Sequence, residues 1–109
     1  MDELLVVYVT VGSAEEGERI SRALVEERLA ACVNRVRGIR SVYRWQGKVE
    51  ENEEELLIIK TTKGLFDRLK QRVQALHSYE VPEIIAVPVV MGNESYLKWL
   101  AEQLAESGI

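Results

Sequence analysis

Leu4-Leu5-Val6-Val7-Tyr8-Val9-Thr10-Val11 decides the fold. The run is rich in β-branched and aromatic side chains and contains neither Gly nor Pro, so it reads as a strand. A strand with one wet face alternates apolar and polar residues. This one does not, so both of its faces are predicted to be covered and it belongs in the middle of a sheet. Leu56-Leu57-Ile58-Ile59 is a second run of the same kind.

Gly12 ends the first strand. Ser13 and Glu16 have the spacing of a capping box, and a helix is predicted from there to about Leu29, with Ile20, Ala23 and Leu24 on its core face. Residues 31–48 read as a long, bent strand. Ile39, Ser41, Tyr43 and Trp45 point one way, and Arg40, Val42, Arg44 and Gln46 the other. Gly38 sits where the alternation shifts, as at a β-bulge. A polar turn is expected at 50–52, followed by a third strand from Glu54 to Thr61. Leu65, Phe66, Leu69, Val73 and Leu76 recur at helical spacing. The segment 77–80 ends that helix. Pro82 opens a fourth strand over 83–91, and Asn93 can cap a last helix carrying Leu97, Leu100 and Leu104.

This order is β-α-β-β-α-β plus a C-terminal helix. With right-handed crossovers it predicts an α+β, ferredoxin-like sandwich over residues 1–109, one domain with an antiparallel sheet of order 4-1-3-2. The two apolar runs fall on the central strands. Strand 2 carries Arg40 and Arg44, and strand 4 carries Pro88, which lacks a ladder donor; both suit edges. In this layout the two crossover helices cover one sheet face only. The other face needs the C-terminal helix or a second copy of the chain, and self-assembly is expected.

Composition bounds the function. The chain has 109 residues, 47% hydrophobic and 29% charged, which is ordinary for a globular domain and excludes disordered or collagen-like classes. The net charge of −4 disfavours binding to phosphate backbones. No run approaches the roughly 20 apolar residues of a membrane span. Asp2 and Glu3 precede the first strand where a secretory signal would carry Lys or Arg. One cysteine is compatible with a reducing cytosol, so a cytoplasmic location is expected.

Few residues carry chemistry. His77 is the only histidine. With Glu80 and Glu83 it has the groups to bind a metal or move a proton, and the alternative is a helix-terminal charge and turn residue. Cys32 is either a buried small hydrophobe or a soft metal ligand. The basic series Arg35, Arg37, Arg40, Arg44 and Lys48 is followed by Glu50, Glu51, Glu53, Glu54 and Glu55. Opposite charges facing across a hairpin explain the pattern, and an anion groove is the alternative. Tyr43, Trp45, Tyr79 and Trp99 have the amphipathic character of residues that line clefts or interfaces. No catalytic motif is evident, and no enzyme is predicted.

Longer strings add to this. Glu26-Glu27-Arg28-Leu29-Ala30-Ala31-Cys32-Val33-Asn34, Ser41-x-Tyr43-x-Trp45-x-Gly47-x-Val49, Lys60-Thr61, His77-x-Tyr79-x-x-Pro82-Glu83-Ile84 and Gly92-x-x-x-Tyr96-Leu97-x-Trp99-Leu100 occur in this order over nearly the whole chain. Together they resemble the CutA family of divalent-cation tolerance proteins. The resemblance implies a cytoplasmic homotrimer, similar in architecture to the PII signalling proteins, in which the long second strand pairs with neighbouring subunits. It also implies weak binding of Cu(II) or another divalent cation through Cys32 and His77, to which the residue reading adds the carboxylate of Glu83. Some members carry a further Cys in the first strand and a second His before the one matching His77. Here those positions hold Val9 and Leu76, which moves the expected metal site to the boundary between subunits. The second expectation is a PII-like module that takes a small molecule or anion in inter-subunit clefts lined by Tyr43, Trp45, Lys60, Tyr79 and Trp99, with Glu83.

Overall fold

A computed structural model describes residues 2–104. Met1 and residues 105–109 of the predicted domain lie outside the described residues. The elements follow the expected order: β1 Leu4–Val11, α1 Ala14–Glu26, β2 Cys32–Trp45, β3 Lys48–Thr62, α2 Phe66–Leu76, β4 Ile84–Pro88 and α3 Glu94–Leu104. The sheet is antiparallel throughout, with order β2-β3-β1-β4. This is the predicted 4-1-3-2 read from the other edge.

The register explains the apolar central strands. Val7 faces Ile59 and Val9 faces Leu57. These four side chains are fully buried, and they pack with Ile20 and Leu24 of α1 and Leu69 and Val73 of α2. The alternate residues of the same strands point to the opposite face, where Tyr8 opposes both Ile58 and Ile85, and Val6 opposes Val87. α3 lies against β3 and covers one end of that face. Leu100 and Leu104 are buried, and the Tyr96 hydroxyl sits beside the Cys32 thiol. The remainder is open: Val36, Ile85 and Val87 are each at least 40% exposed.

Four boundaries differ from the sequence reading. α1 stops at Glu26, because Arg28 takes a left-handed conformation (φ 59°) and the N–H groups of Leu29 and Ala30 both return to the Leu24 carbonyl. The reversal between β2 and β3 falls at Gln46-Gly47, with φ of 50° and 80°, and not at 50–52. Two consecutive positive φ angles make the tight hairpin turn whose twist matches the flanking strands. β3 therefore starts at Lys48, well before Glu54. β4 is shorter than 83–91 and ends at Pro88, beyond which the Val89 N–H bonds to the Leu4 carbonyl. The bulge expected at Gly38 is present: the register slips between Val36 and Ile39, and Gly38 has φ 73°.

β1 pairs with β3 only as far as Glu55. The segments 39–45 and 48–54 therefore continue past the sheet as a two-stranded arm, roughly 20 Å long at about 3.3 Å per residue. Arg40 reaches Glu51 at 3.2 Å and Glu53 at 3.9 Å across it, the pairing expected of the opposed charge runs.

Candidate functional site

The arm roofs a cleft. The bulge turns Ile39, Ser41, Tyr43 and Trp45 onto the face that carries Glu54, because Ile39 pairs with Glu54 beyond the register slip. The end of β1 supplies Thr10, and the connection from α2 to β4 supplies Tyr79, Glu80, Val81 and Glu83. The cleft holds about 560 Å³, within the range of small-molecule sites.

Tyr79 closes its floor. Its hydroxyl donates to Glu54 Oε2 at 2.7 Å, and Glu54 is buried. Burial first, then the hydrogen bond and charge of Glu54, push the Tyr79 phenol well above its ordinary range. This ring lies close to the end of β1: a Cβ at Gly12 would meet the Tyr79 hydroxyl at 3.1 Å, so the ring would have to shift by a few tenths of an ångström.

A buried polar knot holds Tyr79 in place. α2 ends at Leu76, and His77 turns into extended backbone as its C-cap. Its side chain is fully buried. Nε2 lies 2.7 Å from the Thr10 carbonyl, and Nδ1 accepts the Tyr79 N–H at 3.0 Å. Bonding to a carbonyl requires the proton on Nε2, so both ring nitrogens are used. Glu16 lies on the other side. The Ser13 hydroxyl accepts the Glu16 N–H at 3.2 Å, as the capping spacing predicts. The Glu16 carboxylate goes elsewhere, accepting from the Gly12 N–H at 3.3 Å and from the N–H and hydroxyl of Ser78. Burial works to raise its pKa, but the Ser78 and Gly12 donors prevail and hold it below the usual carboxylate range.

The structure gathers some of the predicted site residues and separates others. Tyr43, Trp45, Tyr79 and Glu83 line one cleft. Lys60 does not join them: it pairs with Cys32 and bonds to Asn34 on the open face. Trp99 stacks on Tyr96 in α3, with ring centroids 5.8 Å apart. Cys32 and His77 are also apart. Cys32 sits in the ladder row of Lys60 and Val6, whereas His77 holds Thr10, four residues further along β1, or roughly 13 Å by strand rise. Among the described residues, no three His, Cys, Asp or Glu side chains converge as metal ligands.

Two positions that build the site escaped the sequence reading. Glu54 was assigned to cross-strand charge pairing, and Glu16 to a helix cap. Their common signal is an acid at the junction of a polar and an apolar stretch, which is where a strand leaves the covered sheet or a helix begins.

The family model for the CutA1 divalent ion tolerance protein matches residues 5–103. The divalent-cation tolerance protein CutA of Thermus thermophilus is 59% identical over 97 residues, which is 89% of this chain and 94% of that one. Protein CutA 1, chloroplastic, of Oryza sativa is 53% identical over 103 residues, 94% of this chain and 58% of that longer protein. The solved Thermus structure superposes with a TM-score of 0.90 at 57% identity, covering 92% of this chain and 97% of that one. For the Oryza CutA1 structure the TM-score is 0.93 at 51% identity, covering 96% of each chain. Fold, element order and sequence agree over the whole described sheet, and the chain belongs to the CutA family of divalent-cation tolerance proteins.

Proposed function

We propose that this chain works as a cytoplasmic homotrimer in the response to divalent cations, binding Cu(II) or a similar ion weakly where subunits meet. The family match over residues 5–103 is the observation that carries this reading. Two features of the fold support its assembly. The sheet face opposite α1 and α2 leaves Val36, Ile85 and Val87 open. The arm is a two-stranded ribbon, a form marginal on its own in water, and it exposes Val42 and Val49. A copy of the chain would cover both.

In this reading Cys32 supplies the soft ligand from the half-buried open face, and Glu83 supplies an exposed carboxylate. His77 must break two hydrogen bonds to reach an ion, which is a reason for weak binding. Titration of Cu(II) into chelator-treated protein tests the assignment. Saturable binding that is lost in a Cys32→Ala, His77→Ala double variant is expected. No binding at micromolar metal, or binding unchanged in that variant, would sink it. The chain is read here as a binding protein without enzymatic activity and without nucleic-acid or membrane partners.

A second reading is favoured by the cleft itself: a PII-like module that takes a small organic molecule. The acidic lining of Glu54, Glu80 and Glu83 argues against an anion there.

A further inference from the structure

We infer that α3 is a latched cover over Cys32, tied down at its far end by Arg28, so that anything reaching the thiol must displace the first turn of this helix. Its use rests on the proposed role of Cys32 as a ligand; its construction rests on contacts within one chain.

Two of the strings singled out in the sequence meet here. Residues 26–34 run from the end of α1 into β2, and residues 92–100 open α3. Tyr96, Leu100 and Leu104 recur every four residues, which puts them on one face of the helix. That face lies on the sheet: α3 packs against β3, Leu100 and Leu104 are buried, and the Tyr96 hydroxyl donates to Cys32 Sγ. Asn93 fixes where the helix starts, its side chain accepting the Ser95 N–H at 3.0 Å. Asn34 Oδ1 also lies 4.0 Å from Sγ and is itself engaged by the Lys60 ammonium. Asn34 and Lys60 are held in the β2–β3 ladder. Of the three groups, Tyr96 alone belongs to an element outside the sheet.

The far end of α3 is held from another part of the chain. Its last turn carries no basic residue, so its free carbonyls lack a counter-charge of their own. Arg28 supplies one: Nη1 donates to the Gln103 carbonyl at 2.8 Å, from 75 residues away in sequence. Arg28 does this from a left-handed backbone, φ 59°, a conformation costly for a residue with a Cβ and routine only for Gly. The reach to α3 is what a glycine there would lose. Tyr96 and Gln103 are about two helical turns apart, so the two ties hold opposite ends of the cover. Latch and thiol are mounted on one rigid connection: the Leu29 and Ala30 N–H groups return to the Leu24 carbonyl, and the Ala31 N–H donates to the Lys60 carbonyl at 2.9 Å. Arg28 is thus a positioning residue that acts on Cys32 through α3.

Alkylation of the assembled, chelator-treated protein by iodoacetamide, followed by mass spectrometry, reads access directly, because the chain has one cysteine. Arg28→Gly removes the tie and relaxes the left-handed backbone; circular dichroism checks that the fold is kept. This variant is expected to react about threefold to tenfold faster than the parent, the range of one hydrogen bond, with Arg28→Lys between the two. Tyr96→Phe should also react faster, and serves if Arg28→Gly fails to fold. Losing a donor would by itself lower the thiolate fraction and slow the reaction, so a faster rate reports uncovering. Trp99 stacks on Tyr96, and in a Trp45→Phe background its emission should change on the same time course as alkylation. Equal rates in the parent, Arg28→Gly and Tyr96→Phe, or a thiol that reacts in none of them, would overturn the cover, since something other than α3 would then set access. The metal reading fails separately: faster alkylation in the variants with no Cu(II) binding leaves the cover standing, whereas equal rates with Cu(II) binding lost in Cys32→Ala remove the cover and keep the ligand.

Discussion

Tyr79 and Glu54 meet at 2.7 Å across the floor of the cleft, joining the connection before β4 to the root of the hairpin arm. Neither residue belongs to the apolar core. Their contact ties the root of the arm to the body of the domain.

Ionising Tyr79 would therefore be resisted by burial and by the Glu54 charge. Its phenol should stay protonated well past the ordinary value of 10.0. The sign follows from linkage: a raised folded-state pKa contributes stability that is complete below pH 10 and lost as pH rises above it. Tyr96 is raised too, by burial and the adjacent Cys32 thiol, but less. Ultraviolet titration of the phenolates should therefore show a last-titrating group in the parent protein that is absent in Tyr79→Phe; a last-titrating group unchanged in the variant would assign the effect to another tyrosine.

Glu16 should govern the acid side. Its folded-state pKa lies below 4.5, so its contribution is present above that pH and is lost as pH falls through the folded value. Glu16→Gln should destabilise by about 1.5–3 kcal/mol at neutral pH, the range for hydrogen bonds to a charged group, and should flatten the loss of stability in acid. Urea unfolding at several pH values checks both. Parallel pH profiles for the two proteins would contradict the assignment.

Gly17 should resist substitution despite lying in a helix, where Ala is normally favoured by about 1 kcal/mol. A Cβ there would collide with the Glu55 carboxylate, which is buried and held by Arg35 at 2.6 Å. Gly17→Ala should therefore displace Glu55 and cost about 2–4 kcal/mol in chemical denaturation. A stabilised Gly17→Ala protein would show that Glu55 moves aside freely.

Much of this architecture was legible in the sequence because strand patterning and the order of elements are local signals. Leu4–Val11 could only be central, and Gly38 marked the bulge. The turn was misread because Gln46-Gly47 continues the strand's alternation and the acids after it look more like a loop. The conformation that matters there, two positive φ angles in succession, is a backbone property that Gln does not announce. The site was legible only in part. Tyr43, Trp45, Tyr79 and Glu83 meet because the bulge sets the face of β2 and the α2–β4 connection folds back over β1, whereas Lys60 and Trp99 lie elsewhere. His77 had the chemistry of a ligand, but its use of both ring nitrogens depends on Thr10, 67 residues away in sequence.

An assembly prediction follows from the open face. Ile85 opposes Tyr8 in the ladder and is 54% exposed in the single chain. Ile85→Lys should weaken assembly with little effect on the fold, because an ammonium buried against apolar strands loses its water without gaining a partner. Size-exclusion chromatography with circular dichroism separates the two effects; an unchanged elution volume would place the interface elsewhere.

The central claim is that three copies of this chain cover one another's open faces. Sedimentation equilibrium of the chelator-treated protein tests it most directly. The account predicts a mass three times the 12.4 kDa of one chain, independent of micromolar dilution. A mass of a single chain under those conditions would contradict it.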